Sequence, residues 1–316
     1  MLEIYGISLP TPYEVGPVNS YLIKNHPYTL IDPGPGSTTA KKHLTESLAV
    51  LGVSMKDIRR VVVTHCHPDH SGLARWVSEQ TGATVYVHRL EVRKLEEGYD
   101  KFQERLPFLR EAGVPEKVLQ EIINDKDPLP YPTLPQSGVE VLLGGEELDF
   151  EGGALQILHL PGHSSGHICL YEPQDKVLLS GDFILKNITP NPIMEADPAD
   201  FKKRIPSLRQ HFASLKKMEE IDIRLILPGH RESINNSREA VLKAQIHHHQ
   251  RLDVVLSILN GNSLNTYQIM QAIYPDLKGF QRFLGVSEIF AHIDYLQAEG
   301  KVIGEDHSGV VYYRKK

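Results

Sequence analysis

Short apolar runs separated by glycine- and proline-containing turns mark the first ninety residues. LEIYGISL, NSYLIKN and YTLID each read as a strand, and Asp32-Pro-Gly-Pro-Gly ends the third abruptly. Over residues 39–51 the period lengthens, with Leu44, Leu48 and Leu51 at helical spacing. IRRVVVTH is rich in β-branched residues and reads as a buried strand. SGLARWVSEQTG reads as a helix closed by Gly82, and TVYVH as a further strand.

Residues 90–125 change character. The stretch LEVRKLEEGYDKFQERLPFLREAGVPEKVLQEIIND is charged and helical, with breaks expected near Pro107 and Gly113. The proline-rich DPLPYPTLPQSG follows as a stiff return, so about 90–135 reads as a helical insertion. Strands resume in VEVLLGG, LDFEGG, LQILHLP, HICLYEP and KVLLSGD, then a long helix is expected over 198–219 and a last strand in IRLILPGH. From residue 237 the pattern is helical in three segments, and KVIGEDHSGVVYYRK reads as two strands around a turn. Three helices and a hairpin are the order of a winged-helix module, which places a division between 1–236 and 237–316.

Composition narrows the classes. With 316 residues, 41% hydrophobic and 23% charged, the chain can bury a substantial core and hold more than one domain. A net charge of −6 argues against a protein built to coat nucleic acid. Cys66 and Cys169 form no CxxC or zinc-knuckle pattern, so no structural disulfide and a reducing compartment are expected. MLEIYGISLPTPYEV lacks a basic segment followed by an apolar core, and no apolar run has bilayer-spanning length. The expectation is a cytoplasmic protein with no membrane partner.

The chemistry concentrates in VVVTHCHPDHSG, residues 61–72. In an extended chain His65 and His67 share a face and Cys66 points elsewhere. Pro68 stops the strand, and Asp69 and His70 fall at the start of a helix, so the four polar groups can converge on one point. Imidazole and carboxylate are ligands of zinc-like ions. Further candidates each end a strand beside a glycine: His163 in LPGHSSGH, Asp182 in LLSGDF and His230 in LILPGH. His167 reads as a supporting residue, His159 as a strand residue near the site, His88 as a structural strand-end residue, and Cys66 as buried and inert. His247-His248-His249 would fan around a helix and cannot share one ion.

Asp32, His65-x-His67-x-Asp69-His70, His163, Asp182 and His230 together resemble the signature of the metallo-β-lactamase superfamily over about residues 1–235. The resemblance implies an α+β fold, the αββα four-layer sandwich, here followed by the small winged-helix domain. It implies that His65, His67 and His163 hold one metal, that Asp69, His70 and His230 hold another, and that Asp182 bridges them. Asp32 is implied to stand behind the ligands. The cofactor expectation is two divalent ions, zinc first and manganese or iron as alternatives. The GDFILKNITPNP segment and the tail HIDYLQAEGKVIGEDHSGVVYY resemble the lactamase-β-like-2 family, which includes a mitochondrial endoribonuclease and acyl-carrier-protein thioesterases. LPGHSSGHICLY resembles the hydroxyacylglutathione hydrolases.

The leading expectation is a dinuclear hydrolase of a small acyl substrate such as a thioester, acting through a metal-bridging hydroxide. Asp69, at a strand end expected to face solvent, is the catalytic candidate: it can bind metal and orient the nucleophile. The alternatives are an endoribonuclease on single-stranded RNA, a non-catalytic metal-binding or interaction protein, and an iron enzyme oxidising persulfides. DNA binding is not expected, because residues 241–316 carry eight Lys/Arg against seven Asp/Glu and the wing turn GEDHSG is acidic. A homodimer is compatible with the tail. The insertion is expected to act as a lid, its Leu95, Tyr99, Phe102, Leu106 and Phe108 covering the cleft.

Overall fold

The protein is described by a computed structural model over residues 1–125 and 128–316. Asp127, the first residue of the expected proline-rich return, lies outside the described residues.

The first sheet holds β1 (Ile4–Leu9), β2 (Val18–Ile23), β3 (Thr29–Ile31), β4 (Arg60–Val63), β5 (Thr84–His88) and β6 (Val139–Leu142), in that spatial order. Its strands are antiparallel as far as β3 and parallel from β3 to β6. The second sheet contains β7 (Glu147–Phe150), β8 (Gly153–His159), β9 (Ile168–Glu172) and β10 (Val177–Gly181). A separate hairpin, β11 (Ala196–Asp197) and β12 (Asp200–Arg204), precedes β13 (Leu225–Pro228), which joins the second sheet beside β10 in parallel.

Alternation along the strands explains the layers. In β4, Val62 points between the sheets, where it meets Ile31, Leu155, Ile157, Leu170 and Leu179. Val61 and Val63 point outward, onto α1 (Thr38–Val50) through Leu44 and Leu48. Both faces of β4 are therefore buried, which is why its sequence is a continuous apolar run. In β9, Ile168 and Leu170 face the other sheet while Cys169 and Tyr171 face a second helical layer. The molecule is an α+β, four-layer αββα sandwich.

Several elements differ from expectation. The helix after His67 is split into α2 (Pro68–Ser71) and α3 (Ala74–Thr81). The Asp32–Gly36 turn docks at the break: Gly34 N–H donates to His70 C=O at 3.1 Å, and Leu73 N–H donates to Gly34 C=O at 2.9 Å. Backbone groups spent on that turn cannot continue one helix. Gly82 does close α3, in the left-handed region at φ 73°. After α4 (Arg89–Val92), α5 (Lys101–Glu111) runs through Pro107, because Phe108 and Leu109 beyond it are packed in a core. The helix expected over 198–219 begins only at α7 (Ser207–Glu219), since Asp200–Arg204 pair with Ala196–Asp197.

Four of the five residues expected to line a lid, all but Tyr99, pack into cores instead. Leu95 belongs to the core beneath the first sheet. Phe102, Leu106 and Phe108 of α5, and Leu119 and Ile122 of α6 (Glu116–Asn124), pack with the C-terminal segment. That segment comprises α8 (Ser237–Ile258), β14 (Leu264–Asn265), α9 (Thr266–Ile273), α10 (Gly279–Ala298), β15 (Val302–His307) and β16 (Val310–Lys315). Residues from both regions, Phe108 and Leu119 with Val255, Phe283 and Tyr313, share one core. The apolar face thought to cover the cleft is consumed by that packing.

Candidate metal centre

Asp32 follows β3, the His65–His70 stretch follows β4, Asp182 follows β10 and His230 follows β13, while His163 lies in the β8–β9 connection. The carboxyl ends of strands from both sheets therefore meet at one edge. Asn19 stitches the sheets there: its N–H donates to Gly229 C=O at 2.6 Å and its Nδ2 to Pro228 C=O at 3.0 Å. Gly229 is needed for this closeness, because a Cβ there would lie 2.5 Å from Asp182 Oδ1 and 2.6 Å from His70 Cε1.

Besides Asp32, His65 and His70, which hydrogen bonds through Thr64 already join, two groups of donor atoms share no residue: His65, His67 and His163 form one, and Asp69, His70 and His230 the other. Asp182 lies between them, with Oδ1 3.4 Å from His70 Nε2 and Oδ2 3.8 Å from His163 Nε2 and 3.7 Å from His230 Nε2. Asp69 is not solvent-facing as expected: it lies in the first turn of α2 and is buried, with 6% exposure. Asp69 Oδ2 is 3.1 Å from His230 Nε2. His67 is the most open of the seven, so the centre meets solvent beside it.

Hydrogen bonds decide where the imidazole protons sit. Asp32 Oδ1 accepts Thr64 N–H and Asp32 Oδ2 accepts the Thr64 hydroxyl, both at 2.7 Å. That hydroxyl, its proton used, accepts from His65 Nδ1 at 3.0 Å, which leaves His65 Nε2 bare. His70 Nδ1 donates to Asp32 Oδ2 at 2.8 Å, His163 Nδ1 to Asn191 C=O at 2.9 Å, and His230 Nδ1 to Pro17 C=O at 2.8 Å. Asp32 is thus saturated by Thr64 and His70, and it holds this role at a left-handed φ of 50°.

The donor set fits divalent ions. His67 Nδ1 lies 2.9 Å from His65 Nε2 and 3.0 Å from His163 Nε2. At most one proton can sit in that triangle while the other ring nitrogens keep their donor roles, so two lone pairs face each other without a cation. His70 Nε2 and Asp182 Oδ1 are buried with no hydrogen-bond partner. The inward ring nitrogens of His65, His70, His163 and His230 are fixed by partners on their outer sides, the arrangement that orients metal-ligating imidazoles.

The two groups differ in proton affinity. Burial, then neighbouring His70 and His67, holds His65 well below the ordinary imidazole value. Burial, then His163, does the same to His67, and burial lowers His163. Burial also opposes a charged His70, but Asp182, Asp69 and Asp32 outweigh it and hold its pKa well above the ordinary value. His230 is raised against burial by Asp182 and Asp69. Burial opposes the Asp182 carboxylate, yet His70, His230 and His163 hold its pKa well below the ordinary range.

Several of the remaining histidines take structural partners. His167 Nε2 accepts Asp182 N–H at 3.1 Å. His88 and His159 stack with ring centroids 4.1 Å apart, and burial, then His159, pushes His88 down to about 4. Of the 247–249 tract, His248 turns inward toward His211 and His292, while His249 lies on Phe212. Cys66 and Cys169 are free and buried. Reading the sequence missed Thr64, and also Glu91, Lys94 and Glu195, which are buried behind the centre. Glu91 and Lys94 were hidden in a run of charges; their spacing of three was the one available signal.

The four-layer sandwich with paired donor groups at its edge defines a metal-dependent hydrolase. The chain belongs to the metallo-beta-lactamase superfamily, whose profile matches residues 13–230. It is 29% identical to a probable metallo-hydrolase, YqjP, of Bacillus subtilis (strain 168), over 99% of this chain and 98% of that one. The crystal structure of the metallo-beta-lactamase family protein TTHA1429 from Thermus thermophilus superposes with a TM-score of 0.84 at 27% identity, over 99% of this chain and 98% of that one. Human acyl-coenzyme A thioesterase MBLAC2 is 29% identical over 49% of this chain and 53% of its own length. Among the described residues no helix is long and apolar enough to cross a membrane.

Proposed function

We propose that the chain hydrolyses a small acyl thioester at a centre of two divalent ions, zinc in the first instance. His65, His67 and His163 would hold one ion and Asp69, His70 and His230 the other, with Asp182 between them. The observation that carries this reading is the position of Asp182, whose two oxygens face histidines of both groups at 3.4–3.8 Å. When bound, such ions would lower the pKa of a coordinated water and polarise the attacked carbonyl.

The chain's own groups supply the rest. Asp32, Asn191 and Pro17 fix the imidazole rings through their outer nitrogens. Asp69 is the catalytic candidate: its carboxylate lies 3.1 Å from His230 Nε2, where it can orient a water and hold its proton. The thioester class is supported by the human relative, which is named an acyl-coenzyme A thioesterase. Residues 1–236 read as the catalytic domain and 237–316 as a winged-helix module, supported by the order helix, strand, helix, helix, hairpin. The acidic hairpin turn favours a packing role over a nucleic-acid one.

Elemental analysis of the full chain should find two ions, and His70→Ala should retain one. Parallel assays on acyl thioesters, lactones and single-stranded RNA should show turnover of the thioester. One ion in both proteins overturns the dinuclear reading; RNA cleavage without thioester cleavage overturns the substrate class.

A further inference from the structure

Behind the centre lies a buried triad of charges, Glu91, Lys94 and Glu195, none more than 6% exposed. Lys94 Nζ donates to Glu91 Oε1 and to Glu195 Oε1, each at 2.8 Å. A structural ion pair would need nothing further. Glu91 does more: its Oε2 accepts Cys66 N–H at 3.0 Å, and its Oε1 also accepts the Ser164 hydroxyl at 2.9 Å and Gly166 N–H at 2.7 Å. Cys66 stands between His65 and His67, and Ser164 follows His163. One carboxylate therefore grips both chain segments that carry the first donor group.

The rest of the triad reinforces the grip. Ser165 donates its N–H to Glu195 Oε2 at 3.3 Å, and its hydroxyl lies 3.3 Å from Lys94 Nζ. Gly166 makes the approach sterically feasible: a Cβ there would fall 2.6 Å from Glu91 Oε1. This accounts for the SSG between His163 and His167, which the donor atoms alone do not explain. The hydrogen bonds of the Glu91 carboxylate run to Cys66, Lys94, Ser164 and Gly166, residues of the segments that carry the first group or of the triad itself, and to none of Asp69, His70 and His230. Burial opposes its charge, but Lys94 and the surrounding donors keep the carboxyl ionised.

We propose that Glu91 is a positioning residue that sets the geometry of the His65–His67–His163 group and not of the Asp69–His70–His230 group. The inference rests on the two-group reading of the centre and deepens it. Glu91→Gln is the informative change. Both carboxylate oxygens face donors, so whichever way the amide turns, its NH2 meets an N–H, hydroxyl or ammonium proton donor. The two gripped segments must then separate.

The test uses the full chain, stripped of metal and titrated with cobalt(II), read by its ligand-field absorption. In a His70→Ala background only the first group remains; in a His67→Ala background the second is intact. Glu91→Gln should weaken cobalt binding about 10- to 100-fold in the first background, shifting its absorption bands, and leave the second within about twofold. Ser164→Ala should show a smaller loss confined to the same background. Equal weakening in both backgrounds, or none in the first, overturns the inference. Should Glu91→Gln fail to fold, Ser164→Ala decides alone, and unchanged affinity in the first background overturns it. If the parent protein binds only one ion while Glu91→Gln still weakens the first group, the dinuclear reading falls and the positioning role stands.

Discussion

His65, His67 and His163 are held neutral by burial, whereas His70 and His230 are drawn toward the protonated form by Asp182 and Asp69. A metal entering the second group must therefore displace protons, and one entering the first need not. The sign follows: with pKa values raised above the free-imidazole value of about 6.5, His70 and His230 regain protons as pH falls toward it. The second ion should leave first on acidification, and zinc titrations at a series of pH values should show a steep pH dependence for one step only. Two steps with equal slopes would refute this. At the same scale, Asp69→Ala should abolish hydrolysis without loss of structure. Its carboxylate touches His230 and sits in a four-residue helix rather than in an apolar cluster. Circular dichroism and a thioester assay separate the two outcomes.

Among the elements, α5 carries the largest consequence. Phe108 is 2% exposed and lies in the core shared with Phe283 and Phe290. Phe108→Ala should cost about 3–5 kcal/mol of stability, visible in urea unfolding, and leave metal content of the folded protein unchanged. A normal midpoint with a raised Michaelis constant would restore the lid. The β11–β12 hairpin is tied down at its far end by Arg204, which pairs with Glu111 of α5 and Asp294 of α10, each at 2.8 Å, between the rings of Phe108 and Phe290. Removing that guanidinium strands two partly buried carboxylates. Arg204→Ala should destabilise by about 3 kcal/mol or more, read as a shift in the thermal midpoint.

At the scale of the whole molecule, the insertion and the C-terminal segment are one packing unit although residues 125–236 separate α6 from α8. Phe108, Leu109, Leu119 and Ile122 would be exposed if residues 237–316 were removed. A chain ending at residue 236 should therefore aggregate or bind hydrophobic dyes, by size-exclusion chromatography and dye fluorescence. A soluble, folded 1–236 would show that the shared core is dispensable.

Local chemistry made the strands and the donor residues legible in the sequence, and the resemblance those donors carry implied the class of fold. Alternation and β-branching are set by which faces of β4 and β9 are buried, and His65-x-His67-x-Asp69-His70 is contiguous, so both survive in a one-dimensional record. Asp32, Asp182 and His230 were recognisable because each falls just past a strand's end, and His163 because it stands beside a glycine in the short β8–β9 connection. Long-range packing decided the rest. The helix ran through Pro107 because a core from distant sequence holds both sides of it, and the apolar face of the insertion was assigned a partner that local periodicity cannot name. Glu91, Lys94 and Glu195 looked like ordinary surface charges, since a charge declares itself buried only through partners, and theirs, Cys66, Ser164 and Gly166, lie 25, 73 and 75 residues from Glu91. Donor identity is a property of residues; the proton positions and contacts that make donors into a centre exist only once the two sheet edges meet.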